Sequence, residues 1–191
     1  MNFGKCGKDQ MKKHEPFKIF IWEFDLDIDN DILEEYCLQF SKEIPSVTRS
    51  NLGGYQSPKL PLDQIEICKL VSDIEWRLRE IQEIPLVVSD IWFNINRYKD
   101  ANFSHVHPMS QYSGVYYVRT PENCGNINLE HPALDLLYHY PNGANEGLYW
   151  LEAKEKRLYI FPSWLKHYVY PNLNKDLERI SISFNTTNGG G

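Results

Sequence analysis

Short hydrophobic runs follow one another through the second half of the chain, after Pro85. Most of them are rich in β-branched and aromatic residues, and clusters of Pro, Gly, Asn and Asp separate them, which is typical of strands and turns. Several short strands at this spacing predict a β-barrel or a β-sandwich. The runs are LVVSDIWFNINRY, QYSGVYYVRT, NINLE, RLYIFP, HYVYP and RISISFN.

The first half of the chain has the period of α-helices instead. Capping residues and apolar spacing predict one helix from Asn30 or Asp31 through Lys42. A second helix is predicted over about 62–83, with Pro61 in its first turn. The predicted apolar faces are Ile32, Leu33, Tyr36, Cys37 and Phe40 in the first helix, and Ile67, Leu70, Val71, Ile74, Leu78 and Ile81 in the second. Both helices are expected to cover the β-rich half rather than to carry catalytic residues.

The predicted elements fit a single domain, because 191 residues leave room for one domain of about 100–200 residues. The expected divisions are a flexible polar arm (1–15), a domain (16–185) with a helical part (about 16–85) and a β-rich part (about 86–185), and a C-terminal tail (186–191). Within the helical part, residues 17–24 predict a strand, and residues 46–61, rich in Gly, Ser and Pro, predict a long loop.

Composition narrows the class of protein. Trp, Tyr and Phe make up 14% of the chain, which favours an ordered, β-rich core over disorder. The net charge of −6 argues against a nucleic-acid partner, because such proteins carry a basic surface. No apolar run is long enough to span a membrane, and the polar start lacks the apolar region of a signal peptide. We therefore expect a cytoplasmic protein whose four cysteines are reduced thiols: Cys6, Cys37, Cys68 and Cys124.

Three histidines lie in contexts that suit metal binding. His105 and His107, in NFSHVHP, are two residues apart, and such residues point to the same face of a strand. His167, in FPSWLKH, comes at the start of a later strand. Two ligands from one strand and one from another form a facial set with open coordination positions, which suits non-haem Fe(II). Paired histidines of a strand are also common as surface or satisfied core groups, so spacing alone leaves both interpretations open.

The last predicted strand has one polar and one apolar face. Its polar face carries Arg179, Ser181, Ser183 and Asn185, and its apolar face carries Ile180, Ile182 and Phe184. A buried arginine is costly unless an anion pairs with it, and a dicarboxylate could accept a bidentate contact. The alternative is a surface strand whose arginine is solvated.

The order of these motifs resembles that of the 2-oxoglutarate/Fe(II)-dependent oxygenases, and most closely a small group of them known from bacteria and marine phages. The motifs are RSNLGGYQS, HVHP, SGVYYV, Gly-x-Ile-x-Leu, RLYIFPSWLKH and ERISISFN, so that the resemblance covers most of 17–185. The prolyl hydroxylases are more distantly similar. The resemblance implies an α+β fold with a double-stranded β-helix (jelly-roll, cupin-like) core under N-terminal covering helices. It also implies Fe(II), 2-oxoglutarate and O2 as cofactor and co-substrates of a hydroxylation that releases succinate and CO2.

The resemblance assigns roles to individual residues. His105 and His167 match two iron-binding histidines, and His107 stands where the family usually has a carboxylate. Arg179 matches the basic residue that pairs with the far carboxylate of 2-oxoglutarate. The other residues that the resemblance places at the co-substrate or in the pocket are Ser181, Tyr117, Tyr98, Asn94, Asn96 and, on the substrate side, Asn185.

The histidine at position 107 leaves two questions open. The third ligand is expected to be His107, with Asp100, Gln111 and Glu130 as alternatives that no motif supports. The protein is expected to be an oxygenase of this family, and the alternatives are a three-His dioxygenase or cupin-like enzyme that does not use 2-oxoglutarate, or a non-catalytic jelly-roll binding module.

The expected partner is a small-molecule or protein side-chain substrate, and a homodimer is possible. The expected location is the cytoplasm, or the host cytoplasm if a phage encodes the chain. The remaining histidines are expected in loops or at the surface: His14, His131 and His139.

Overall fold

Two antiparallel β-sheets pack face to face in the computed structural model of the chain, which describes residues 18–83, 85–137, 139 and 147–189. The larger sheet holds, in spatial order, β1 (Trp22–Asp25), β9 (Arg157–Pro162), β6 (Tyr112–Arg119), β11 (Arg179–Asn188), β4 (Leu86–Asn96) and β3 (Tyr55–Gln56). The smaller sheet holds β2 (Asn51–Leu52), β5 (Ala101–His105), β10 (His167–Val169), β7 (Ile127–Glu130) and β8 (Leu148–Leu151). The predicted jelly-roll core is therefore confirmed.

In the described part of the chain, three helices accompany the sheets: α1 (Asn30–Glu43), α2 (Ile65–Ile81) and the short α3 (Leu134–Leu137). Asp29 caps α1, and its side chain accepts a hydrogen bond from the backbone N–H of Asp31 at 3.1 Å. Both longer helices bury their apolar faces against the outer face of the larger sheet. The fully buried helix residues are Leu33, Cys37, Ile67, Leu70, Ile74 and Leu78.

The two faces of strand β11 contact different parts of the interior. Its apolar residues Ile180, Ile182 and Phe184 join the core under the helices. A second cluster of buried apolar residues fills part of the space between the two sheets: Val115, Tyr117, Ile127, Leu129, Leu151, Tyr159, Phe161 and Leu165. The polar face of β11 therefore points into the space between the sheets, as its alternation predicts.

Several predicted boundaries are wrong. Helix α2 begins at Ile65, after the turn that follows Pro61, and Gln64 stands at its N-cap without a side-chain cap hydrogen bond. The expected loop over 46–61 contains β2 and β3, which join the edges of the two sheets. Ile32 was expected on the buried face of α1 and is exposed.

The two ends of the predicted strand pattern also shift. The first strand begins at Trp22 rather than near residue 17, and β11 continues to Asn188 by pairing with β4. The arm 1–15 with Cys6 and His14, and the last two glycines, lie outside the described residues. Cys37, Cys68 and Cys124 are free thiols in the part that is described. Within the same part, every helix is too short or too polar to cross a bilayer.

Candidate active site

The ends of two paired strands bring three histidines together. His105 is the last residue of β5 and lies directly opposite His167, the first residue of β10. His107 lies just beyond β5, where its backbone N–H donates to the carbonyl of Ser163 at 2.9 Å. One ring nitrogen of each histidine lies within 4.8 Å of the others. His105 and His107 therefore converge as predicted, although the strand that was expected to carry both ends at His105.

Backbone hydrogen bonds set the orientation of two of these rings. The Nδ1 atom of His105 lies 2.7 Å from the carbonyl oxygen of Phe103, and Nδ1 of His167 lies 2.8 Å from that of Leu165. Because a carbonyl oxygen can only accept, Nδ1 carries the proton in both rings. Each Nε2 therefore keeps a free lone pair, which is the state of a metal-ligating histidine.

Burial keeps the three imidazoles neutral near pH 7. Burial and the neighbouring His105 lower the pKa of His167 to about 3, and the same two causes lower the pKa of His107 to about 4. Burial also lowers the pKa of His105, against the opposing effect of its hydrogen bond to Phe103. Neutral imidazole is the form that binds a metal ion, so the three residues fit a divalent cation before any ligand arrives.

None of the alternative third ligands reaches the histidines. The Asp100 carboxylate accepts a hydrogen bond from the backbone N–H of Arg97 at 2.7 Å, beside the β2–β3 turn. Gln111 bonds Asn188 at 2.8 Å, and Glu130 pairs with Lys166. Among the described residues, the three histidines form the only cluster of His, Cys, Asp and Glu able to hold a metal ion.

The histidines line a narrow cavity between the two sheets, here called the inner cavity. Polar residues of the larger sheet and of β5 line the same cavity: Asn94, Asn102, Tyr117, Arg179, Ser181 and Ser183. Three apolar side chains, Val115, Ile127 and Phe161, complete much of the wall. The cavity therefore combines a metal-ligating end with a polar end that carries a cation.

Arg179 supplies that cation and is held from one side only. It is 1% exposed, and its Nη1 donates to the carbonyl oxygens of Cys124 at 2.6 Å, Gly125 at 2.9 Å and Tyr170 at 3.3 Å. Its Nη2 is buried and has no hydrogen-bond partner among the described residues. Burial lowers the pKa of Arg179, but a guanidinium stays charged near neutrality. An unpaired buried charge is costly, so the geometry fits an anionic ligand at Nη2.

Tyr117 and Ser181 lie beside this guanidinium. Ser181 is directly opposite Tyr117 on one neighbouring strand and Asn94 on the other, so the three side chains share the inner face of the sheet. Burial raises the pKa of Tyr117, which therefore keeps its hydroxyl proton and can donate it to an acceptor. The side-chain oxygen of Asn94 is buried without a partner among the described residues.

Two of the predicted site residues lie elsewhere. Tyr98 is 41% exposed and packs near the ammonium groups of Lys99 and Lys175, because β4 ends before it and the chain turns at Lys99 with a φ of 71°. The structure does not bring Tyr98 to the histidines. Asn96 is buried directly opposite Arg179 but does not line the inner cavity. Its Nδ2 donates to Oδ1 of Asn102 at 3.4 Å, and its own Oδ1 has no partner among the described residues.

A wider cleft of about 750 Å³ opens beside the inner cavity and is here called the outer cleft. His105, His107, Trp92 and Ser50 line both spaces, so they form the passage between them. Residues 47–50 and 56–59 form one wall, and Asn185, which is predicted on the substrate side, also lines the cleft. Ser50 and Gln56 of this wall are not among the residues that the sequence predicts for the site, although the NLGG motif marks the turn that positions them.

Gly125 is predicted to hold the arginine in place. It has a φ of +81°, and a Cβ there would collide with the carbonyl of Tyr170 and lie 2.7 Å from that of Pro171. Gly125→Ala should shift the carbonyls that hold Arg179, raise the KM for the anionic ligand several-fold and lower stability by about 1–3 kcal/mol, without weakening metal binding. Gly189→Ala is the control, because its added Cβ meets a side-chain methyl of Val87 first. Equal ligand affinity in both variants would contradict this role.

The metal-free protein is predicted to lose stability in mild acid. The pKa of His167 is about 3 in the fold and near its ordinary value of 6.5 in the unfolded chain, so below pH 6.5 the unfolded state binds more protons. With a chelator present, His167 alone should cost about 2 kcal/mol of unfolding free energy between pH 7 and pH 5. Urea unfolding at the two pH values measures this, and His139→Ala, an exposed histidine, should keep the same difference. A stability that is flat over this interval would refute the buried neutral state.

Two antiparallel sheets enclose three neutral histidines and a buried arginine whose Nη2 has no partner among the described residues. This fold and site define a metalloenzyme of the double-stranded β-helix class. Residues 90–185, half of the chain, match the family model described as "Putative 2OG-Fe(II) oxygenase". The chain therefore belongs to the family of 2-oxoglutarate- and Fe(II)-dependent oxygenases, enzymes that use Fe(II), 2-oxoglutarate and O2. No curated protein sequence matches the chain.

Solved structures share this fold at low sequence identity. A prolyl-4-hydroxylase from Pseudomonas putida is 14% identical, with a TM-score of 0.65 over 89% of this chain and 93% of its own. HygX from Streptomyces hygroscopicus, solved with nickel and 2-oxoglutarate, is 9% identical, with a TM-score of 0.65 over 89% of this chain and 83% of its own. The viral collagen prolyl hydroxylase of Paramecium Bursaria Chlorella virus-1, in a 2-oxoglutarate complex, is 12% identical, with a TM-score of 0.61 over 87% and 94%.

Proposed function

We propose that the chain hydroxylates a C–H group of a small-molecule or side-chain substrate, with Fe(II) held by His105, His107 and His167. One observation supports this assignment above the others: the partnerless Nη2 of Arg179 and the three histidines line the same cavity. A metal site and an anion site in one cavity suit a co-substrate that chelates the metal at one end and carries a carboxylate at the other.

Three residues of the inner cavity would hold the co-substrate. Arg179 would pair with the far carboxylate of 2-oxoglutarate, and Tyr117 and Ser181 could donate hydroxyl hydrogen bonds to it. When bound, Fe(II) and 2-oxoglutarate supply the oxidising chemistry with O2, in which oxidative decarboxylation releases succinate and CO2 and one oxygen atom is inserted into the substrate. Carboxylate and guanidinium neutralise each other in a site that excludes water, where their attraction is strongest.

Aromatic rings support the metal-binding histidines. The ring of Phe161 meets that of His167 edge-on at 4.9 Å, and the ring of Trp92 lies 5.6 Å from that of His107. These contacts limit the rotamers of the histidines and would shield a bound metal ion from water, which protects a reactive centre from side reactions.

The three-His set changes the charge at the metal. A usual carboxylate ligand would leave one net positive charge on Fe(II), whereas three neutral imidazoles leave two. The far carboxylate of the co-substrate would pair with Arg179, and its metal-chelating carboxylate would compensate one of the two charges, so we expect 2-oxoglutarate and Fe(II) to strengthen each other's binding. The substrate reaches the metal from the outer cleft, which shares His105 and His107 with the inner cavity.

A three-His dioxygenase that does not use 2-oxoglutarate is the second candidate, and His107 is the observation that favours it. Such an enzyme has no use for the buried anion site at Arg179, and the family match argues for 2-oxoglutarate. Succinate formation in air separates the two candidates. It should require both Fe(II) and 2-oxoglutarate, and should proceed slowly without substrate. Oxygen consumption with Fe(II) alone would support the second candidate instead.

A further inference from the structure

Gln56 is a buried residue of the outer cleft whose side-chain oxygen has no partner among the described residues. It is 7% exposed, and its Oε1 has no hydrogen-bond partner among the described residues. The backbone on both sides is fixed, since its N–H donates to Oγ of Ser46 at 3.0 Å and its carbonyl accepts from the N–H of Val47 at 2.9 Å. Oε1 therefore cannot reach solvent by a shift of the strand, and this acceptor is left for a ligand.

The position of Gln56 points toward the reaction centre. Gln56 on β3 is directly opposite Asn94 on β4, which is opposite Ser181 on β11, so the three side chains form one row on the inner face of the sheet. Gln56 lines the outer cleft together with Trp92 and His107. The row thus runs from the co-substrate residues to the space where a substrate would enter.

We infer that Gln56 contacts the substrate, and that the substrate carries a neutral carboxamide close to the carbon that is oxidised. This inference rests on the proposed function and names its substrate class. A side-chain amide offers an acceptor and a donor in one plane, and another amide complements both at once, whichever way the Gln56 amide is turned. The flat indole of Trp92 in the same cleft favours a carboxamide attached to a planar group.

One charged residue of the cleft favours a carboxylate over the neutral carboxamide. Lys59 and Asp90 pair with each other across the cleft wall, so they cancel. Arg49 lies at the exposed rim and would attract a carboxylate instead. An amide and the corresponding acid therefore form the decisive pair of probes.

Benzamide and benzoate are such a pair, and both can be titrated into the anaerobic enzyme loaded with Fe(II) and 2-oxoglutarate. Paramagnetic relaxation of their ring protons measures affinity and closeness to the metal together. Benzamide should bind more tightly than benzoate, and Gln56→Leu should weaken benzamide about tenfold. Gln56→Glu, which has the same shape but no N–H donors, should weaken it as well. Gln111→Leu is the matched control, since Gln111 bonds Asn188 outside the cleft.

The outcomes distinguish failure of the substrate class from failure of the proposed function. Chelation of Fe(II) by 2-oxoglutarate gives a weak visible charge-transfer absorption, which reports the loaded site. If this absorption persists, benzoate binding as tightly as benzamide, or an unchanged benzamide affinity in Gln56→Leu, overturns the substrate class. Loss of that absorption in the wild-type enzyme overturns the proposed function, and the substrate inference with it. Persistence of the absorption in both Gln56 variants shows that they fold.

Discussion

His167→Ala should abolish Fe(II) binding and lower succinate formation at least about 100-fold. His167 is 4% exposed and is fixed by its hydrogen bond to the Leu165 carbonyl, so no neighbouring group can take its place at the metal. Fe(II) titration under anaerobic conditions and a succinate assay measure the two effects. His139→Ala, at an exposed histidine outside the site, should leave both unchanged.

Position 107 provides a sharper version of this prediction. His107→Ala removes one of the three proposed ligands and should lose Fe(II) binding, whereas His107→Asp replaces it by another ligand type and should keep it. Because these two variants change the same side chain, a folding defect at position 107 would affect both. Equal iron affinity in His107→Ala and the wild type would show that His107 is not a ligand and that the site has another third donor.

Arg179→Met should raise the KM for 2-oxoglutarate about 100-fold while Fe(II) affinity stays the same. The variant keeps most of the side-chain volume but removes the buried charge and the free Nη2 that would meet the far carboxylate. Saturating 2-oxoglutarate should therefore recover much of kcat, since the contact positions the co-substrate rather than taking part in bond formation. Arg77→Met is the control, because Arg77 pairs with Glu80 on the surface of α2.

Two results would count against this role for Arg179. An unchanged KM would place the anion site elsewhere, and simultaneous loss of Fe(II) binding would indicate that the variant damages the fold. A three-His dioxygenase that does not use 2-oxoglutarate would keep its full activity in Arg179→Met, so the same variant also separates the two candidate functions.

Local periodicity predicted the parts of the site that depend on one strand. The alternation of β11 placed Arg179 and Ser181 on the face opposite to Ile180, and the structure has them there. Strand parity is a local property of the backbone, so it can be read from the sequence. The convergence of His105 with His167 depended on the resemblance as well, because the pairing of β5 with β10 joins distant segments.

The predictions failed where strands end or where short strands pair at a distance. Tyr98 was expected in the pocket, but β4 ends at Asn96, and no periodic pattern marks that end. The segment 46–61 was expected to be a loop because its two short strands have no alternation long enough to detect; they form only by pairing with β4 and β5. Gln56 was missed for the same reason.

Anaerobic addition of 2-oxoglutarate to the Fe(II)-loaded protein shows whether the metal and the co-substrate meet in one site. Chelation of Fe(II) by the keto acid gives a weak visible charge-transfer absorption, so one spectrum reports metal, co-substrate and their contact together. We predict that the band forms in the wild type, is absent in His167→Ala, and appears in Arg179→Met only at much higher 2-oxoglutarate. A wild-type protein that binds Fe(II) but gives no band at any 2-oxoglutarate concentration would contradict the account.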